Sequence, residues 1–90
     1  PGGTQGMSLF HMVLKAGAST GDELFSHDGE EAGLVLAGRL TLIVESRTLQ
    51  LAEGDSFRFE SRRPHRFSNP DPRSQTIVLW VNVLGSPPPS

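Results

Sequence analysis

The chain contains no cysteine, which excludes both a disulfide framework and thiolate metal ligands and suits a cytoplasmic protein. It has no apolar run near the roughly 18 residues that a membrane-spanning helix requires, and no signal-peptide pattern at its start. It lacks a basic excess: eight Lys and Arg against ten Asp and Glu give a net charge of −2, so no basic face is expected for nucleic acid, and any DNA contact falls to a separate part of a larger protein. It has no initiator Met, opening instead Pro1-Gly2-Gly3, from which a fragment or a processed product is expected. Nowhere do ten residues hold a helical period without Gly or Pro, and no internal repeat is visible. At 90 residues there is room for one domain and one core, burying roughly 60–68% of the surface that the unfolded chain exposes.

What remains is the pattern of an all-β domain. Ser8 to Lys15 alternates, with Phe10, Met12 and Leu14 on one side. Leu34 to Ala37 is a short apolar run stopped by Gly38, and Arg39 to Glu45 sets Leu40, Leu42 and Val44 against Thr41 and Ile43. A reversal at Ser46-Arg47 leads into Thr48 to Leu51, and Ala52-Glu53-Gly54-Asp55 into Phe57 and Phe59, which alternate with Arg58 and Glu60. Ile77 to Leu84 is apolar on both sides, as in a strand that is central or buried at an interface. Short strands at close spacing, punctuated by Gly and Pro, predict a sandwich or barrel. The expected division is a flexible segment over 1–7, one domain over 8–84 and a Pro-rich tail over 85–90 that cannot pair as a strand.

Three side chains stand out chemically: His27 and Glu31, flanking a Gly-containing turn, and His65, whose direction is limited by Pro64. Two imidazoles and a carboxylate on a stiff scaffold form the ligand set of an open-sided metal site, with positions left for water or a ligand. Plainer readings stand beside this one. His27-Asp28-Gly29-Glu30-Glu31 also reads as a solvated acidic turn, His65 as a structural histidine bonded to backbone, and Glu30 as a substitute for Glu31 if the loop shifts by one. Asn69 reads as structural, closing a turn before Pro70 with its amide. His11 has no motif partner. Phe25, Phe57, Phe59, Phe67 and Trp80 read as core, or in part as the lining of a cavity at the barrel mouth. Arg58, Arg62, Arg63 and Arg66 read as a solvated face, or as a cluster from which one reaches the mouth to hold a carboxylate ligand.

From Gly21 to Asn69 the spacing resembles the two motifs of the cupins, G-x5-H-x-H-x3–4-E-x6-G and G-x5-P-x-G-x2-H-x3-N. His27, Glu31 and Gly38 fit the first; Gly54, His65 and Asn69 fit the second. The departures are Phe25 at the first motif's leading His, and Glu60 and Arg62 at the second motif's Pro and Gly. The closest branch is the cupin domains found C-terminal to a helix-turn-helix in bacterial transcription regulators. The resemblance implies a double-stranded β-helix, or jelly-roll barrel. It also implies a homodimeric sensor of a small-molecule effector rather than a catalyst, reaching DNA only through a separate helix-turn-helix domain. A divalent metal (zinc, iron, manganese or nickel) would sit on His27, Glu31 and His65, with Phe25, Phe57, Phe67, Arg66 and Trp80 against the ligand. Two alternatives stay open: a small metal-dependent dioxygenase or isomerase, and a metal-free dimerisation module, which the loss of a ligand at Phe25 motivates.

Overall fold

The computed structural model describes residues 6–19 and 29–83, and every regular element among them is a strand. In chain order these are β1 (Met7–Leu14), β2 (Glu30–Ala37), β3 (Arg39–Val44), β4 (Arg47–Ala52), β5 (Ser56–Glu60), β6 (His65–Ser68) and β7 (Thr76–Val83). They form two sheets, β1-β7-β2-β5 (sheet A) and β4-β3-β6 (sheet B), antiparallel throughout. No helix among the described residues is long and apolar enough to cross a membrane.

The side-chain period of two decides which residues meet between the sheets. Leu40, Leu42 and Val44 point inward from β3 and Phe67 from β6; Val35, Phe57, Val78 and Trp80 point inward from sheet A, and Leu14 closes the cluster. Fully burying an aliphatic or phenyl side chain of this kind is worth roughly 1.5–3 kcal/mol. Trp80 lies at the centre, its ring centroid 4.4 Å from Phe67 and 4.8 Å from Phe57 in an edge-on arrangement. Gly33 makes room for this: a Cβ there would fall 2.3 Å from Cζ of Phe57.

Two turns fix how the sheets meet. Gly38, between β2 and β3, has φ +83°, and a Cβ would lie 2.7 Å from the Gln75 carbonyl oxygen; both the backbone angle and the close approach require glycine. Beside it, the Thr76 hydroxyl donates to the Arg39 carbonyl and accepts from the Arg39 N–H at 3.2 Å, tying β7 to the start of β3. At the other end of β3, Val44 pairs with Arg47 across a two-residue reversal, Glu45-Ser46. Glu45 there has φ 55°, a left-handed conformation that costs a non-glycine residue about 1–2 kcal/mol. Its N–H donates to the Pro64 carbonyl at 2.7 Å, and its carboxylate accepts from Arg63 at 2.7 Å. The hairpin tip thereby holds the loop that leads into β6.

The expected alternations in β1, β3, β4 and β5 are present, and β7 is central in sheet A. Two elements differ. The strand expected over Leu34 to Ala37 begins four residues earlier, at Glu30, because the Glu-Glu pair that reads as a turn is taken into the ladder against Glu60 and Phe59. Residues 65–68, to which the sequence pattern assigns no strand of their own, are β6, paired with β3.

Candidate functional site

Glu31 and His65 approach each other across the gap between the sheets. Glu31 is on β2, where it pairs with Phe59 on one side and Asn82 on the other. His65 opens β6 opposite Val44. Both are buried, with the His65 side chain 0% and the Glu31 side chain 6% exposed, and His65 Nε2 lies 3.0 Å from Glu31 Oε2. The second carboxylate oxygen, Oε1, accepts from the Trp80 indole N–H at 2.9 Å. His65 Nδ1 lies 2.7 Å from the Arg63 carbonyl oxygen; a carbonyl only accepts, so Nδ1 carries the hydrogen. That contact fixes the ring's orientation and turns Nε2 toward Glu31. The ring face packs tilted on Phe59, at a centroid distance of 4.7 Å.

With Nδ1 committed, a single proton serves both Nε2 and Oε2. A divalent cation would also satisfy two such acceptors, with both donors deprotonated as metal ligands must be. Nitrogen and oxygen donors at about 2.1 Å that subtend a right angle are themselves about 3.0 Å apart, so the spacing suits two adjacent ligands as well as an ion pair. Two further polar atoms are buried at this end of the sandwich without a hydrogen-bond partner among the described residues, Ser61 Oγ and Asn82 Oδ1. Asn82 shares the inward face with Glu31. This donor set fits a metal or a polar ligand. Among the described residues, however, there is no cluster of three or more His, Cys, Asp or Glu able to hold a metal by itself.

His27 and Phe25 lie outside the described residues. Of the remaining candidates, Phe57, Phe67 and Trp80 pack in the core and Arg66 is half-buried on β6. Glu30 is exposed and receives a forked contact from Arg58, at 2.9 and 3.2 Å. Asn69 is buried and spends its amide on the carbonyls of Leu14, Lys15 and Ser74. His11 is exposed on β1.

A cavity of about 690 Å³ opens at the same end, between the edge strands β5 and β4. Its apolar lining is Val44, Leu49 and Phe59; its charged rim is Glu30, Glu45, Arg47, Arg58, Glu60 and Arg63. Phe59 has one face toward this cavity's wall and contacts His65, so one ring separates cavity from buried pair. Arg63 bridges Glu45 and Glu60 at 2.7 and 3.1 Å; Glu45 first, then Glu60, holds its guanidinium above the usual arginine range. Of the aromatics that could line a cavity at the barrel mouth, Phe59 is the described one that does. Sequence reasoning missed Asn82 beside Glu31, and Arg47; both depend on strand register, which a single sequence does not display.

Comparison with known proteins agrees with the fold. A family model described as the cupin domain matches residues 10–82. The HTH-type transcriptional regulator PuuR of Escherichia coli K12 is 32% identical over 63 residues, covering 70% of this chain and 34% of the regulator; the chain spans about a third of the length of the curated relatives it matches. The fold is shared with the cupin domain of an XRE family transcriptional regulator from Enterobacter cloacae, at TM-score 0.72 and 20% identity over 90% of this chain and 83% of that one. It is also shared with a protein from Thermotoga maritima described as a predicted oxalate decarboxylase, at TM-score 0.74 and 26% identity over 86% of this chain and 65% of that one.

Proposed function

The chain belongs to the cupin family, and from that premise we propose that it is the effector-binding domain of a cytoplasmic bacterial transcription regulator, taking a small molecule into the end of the barrel where Glu31 and His65 meet. The observation that carries this reading is the buried Glu31–His65 pair, 3.0 Å apart, one aromatic ring away from a cavity of about 690 Å³, a size that holds a small organic ligand. The similarity to PuuR and to the cupin domain of an XRE family regulator supports the sensing role over catalysis. DNA binding belongs in this reading to a separate helix-turn-helix domain.

In the same reading His27, Glu31 and His65 hold a divalent metal, with zinc, iron, manganese and nickel all compatible with nitrogen and carboxylate donors. The metal supplies a Lewis-acidic point at which a ligand completes the coordination. Trp80 orients Glu31, and the Arg63 carbonyl orients His65. Phe25, Phe57, Phe67, Arg66 and Trp80 would stand around the metal-bound ligand, with Phe57, Phe67 and Trp80 acting from the core and none of the four described ones lining the cavity of about 690 Å³. Small metal-dependent catalysis, by a dioxygenase or isomerase, is the second reading, favoured by the likeness to the T. maritima protein.

The second partner proposed is another copy of the chain. The outer face of sheet A presents Met7, Leu9 and Val13 from β1 beside Ile77, Leu79 and Val81 from β7, with Met7 72% and Leu9 65% exposed. His11 is the sole titratable side chain on the outward positions of these two strands. A twofold copy brings the same uncharged surface and needs no charge complement.

The experiment that tests the site is metal content and affinity of the purified chain and of His65→Ala. Stoichiometric metal in the parent that is lost in the variant supports the His27–Glu31–His65 site. A parent that takes up no zinc, iron, manganese or nickel removes the metal from the proposal and leaves the third reading, a metal-free dimerisation module.

A further inference from the structure

The charged rim of the cavity is not balanced group by group. Each of the three carboxylates that the described residues contribute to it is engaged by an arginine: Glu30 by Arg58 at 2.9 Å, Glu45 by Arg63 at 2.7 Å, and Glu60 by both Arg63 and Arg62 at 3.1 Å. Arg47, the first residue of β4, also lines the cavity, and no carboxylate lies within ion-pair distance of it among the described residues. Among the described residues, four guanidinium groups therefore stand at or beside a rim with three carboxylates, and the surplus charge is on Arg47. Its neighbours in the lining are apolar: Val44 is its partner across the hairpin, and Leu49 lies two residues on, on the same side of β4. Phe59 completes that wall from β5.

A cavity with an apolar floor, carboxylates already neutralised and one spare guanidinium selects for charge and shape together. An ammonium-bearing ligand would have to displace Arg58 or Arg63 from contacts already made. A carboxylate ligand would find Arg47 without displacing anything, and a guanidinium binds a carboxylate through two parallel N–H donors. Resting on the reading that this cavity is the effector site, we propose that the effector is an amphiphilic monoanion, a carboxylate with an apolar body. Arg47 takes the carboxylate at the rim, and Val44, Leu49 and Phe59 cover the body. Phe59, which touches the ligand on one side and His65 on the other, carries occupancy to the buried pair. Of the arginine cluster around the second motif, Arg58, Arg62 and Arg63 are excluded from this role because they are spent on glutamates, and Arg66 because it is not in the cavity's lining.

The test is a titration of the chain with three probes sharing one apolar body, octanoate, octylammonium and 1-octanol, followed by the backbone amide resonances of Arg47, Leu49 and Phe59. The proposal expects octanoate to shift these amides at lower concentration than the other two, with an affinity that falls as salt is raised. Arg47→Gln should weaken octanoate about three- to ten-fold. Arg47→Lys should recover part of the loss, and Arg73→Gln, which removes the same charge away from the cavity, should leave the affinity unchanged. Octylammonium binding as tightly as octanoate, or Arg47→Gln binding octanoate like the parent, overturns the ligand class and leaves the cavity reading standing. If none of the three probes moves these amides, the cavity is not an effector site, and the proposed location of sensing falls with the ligand class.

Discussion

Asn69 offers the sharpest test of how this small sandwich is held together. It follows β6 directly and is buried, 2% exposed. Its Nδ2 donates to the Ser74 carbonyl at 2.7 Å and to those of Leu14 and Lys15 at 3.2 Å, while Oδ1 accepts from the Asp71 N–H at 2.9 Å. One amide thus joins the end of β1 to the loop between β6 and β7. Asn69→Asp keeps the size and the acceptor but removes both donor hydrogens, and it sets a carboxylate against three carbonyl oxygens. A buried acceptor left without its donor costs about 1–3 kcal/mol, so losing two donors predicts a destabilisation of about 2–6 kcal/mol before charge repulsion is added. A 90-residue domain holds about 5–13 kcal/mol in total. With a urea slope of about 1 kcal/mol per molar, the midpoint should drop by more than about 2 M. The chain's single tryptophan packs between Phe57 and Phe67, so its emission follows loss of the core directly. Protonating the new carboxyl restores one donor, so the Asn69→Asp deficit should shrink toward pH 4 while that of Asn69→Ala should not. An Asn69→Asp midpoint within about 0.3 M of the parent at neutral pH would refute the reasoning.

Two further outcomes are expected. The Asp71 carboxylate accepts from the Arg73 N–H at 2.8 Å and the Ser74 N–H at 3.2 Å. The Arg73 contact above all holds the Asp71 carboxyl below its ordinary value of 3.8, against an opposing effect of burial. Since the folded value is the lower one, this contribution is complete above about pH 4 and is lost as pH falls through the folded value. Asp71→Asn should therefore flatten the acid limb of a urea-midpoint profile between pH 6 and 2.5, and parallel profiles would exclude the role. In sedimentation, the parent should run at twice the 9.7 kDa chain mass and Leu9→Glu on the outer face of sheet A at the chain mass; a monomeric parent would remove the dimer.

How much of this was legible in the sequence depended on whether the determinant was local. The alternation of Leu40, Leu42 and Val44 against Thr41 and Ile43 names its own buried face, and β3 has that face in the structure. Ile77 to Leu84, apolar on both sides, reads as a central strand, and β7 is central. The first half of β2 was not legible: Glu30 and Glu31 are poor strand formers by composition, and they join the ladder because β5 and β7 pair with them from both sides. At four residues, β6 is too short for a period to show, although its inward positions His65 and Phe67 are both buried. Motif spacing picked out Glu31, His65 and Asn69 because loop lengths are local. It could not pick out Asn82 or Arg47, which owe their positions to register with Glu31 and Val44.

The placement of the two site residues on different sheets also bears on what the domain can report. Near Gly38, β7 and β3 are joined by the Thr76–Arg39 contacts, which run from a side-chain hydroxyl to backbone. At the opposite end, Glu31 on sheet A and His65 on sheet B make a side-chain link across the gap. In the proposed site, a metal or a polar ligand occupying that link would touch both sheets at that end. A group that binds the folded chain at a hundred times its dissociation constant adds about 2.7 kcal/mol to stability, and one that bridges Glu31 and His65 would do so through contacts to both sheets. The outer face of sheet A is also apolar along β1 and β7, with the half-buried Leu79 and Val81 flanking Trp80 along β7. In the sensor reading, Trp80 is the hinge of the argument: its N–H holds Glu31 on the inside, while its chain neighbours on either side form the surface offered to a second copy. A change at the Glu31–His65 link thus has a two-residue path to the proposed dimer face, whereas the same change at the Thr76 end would meet a closed, backbone-tied edge.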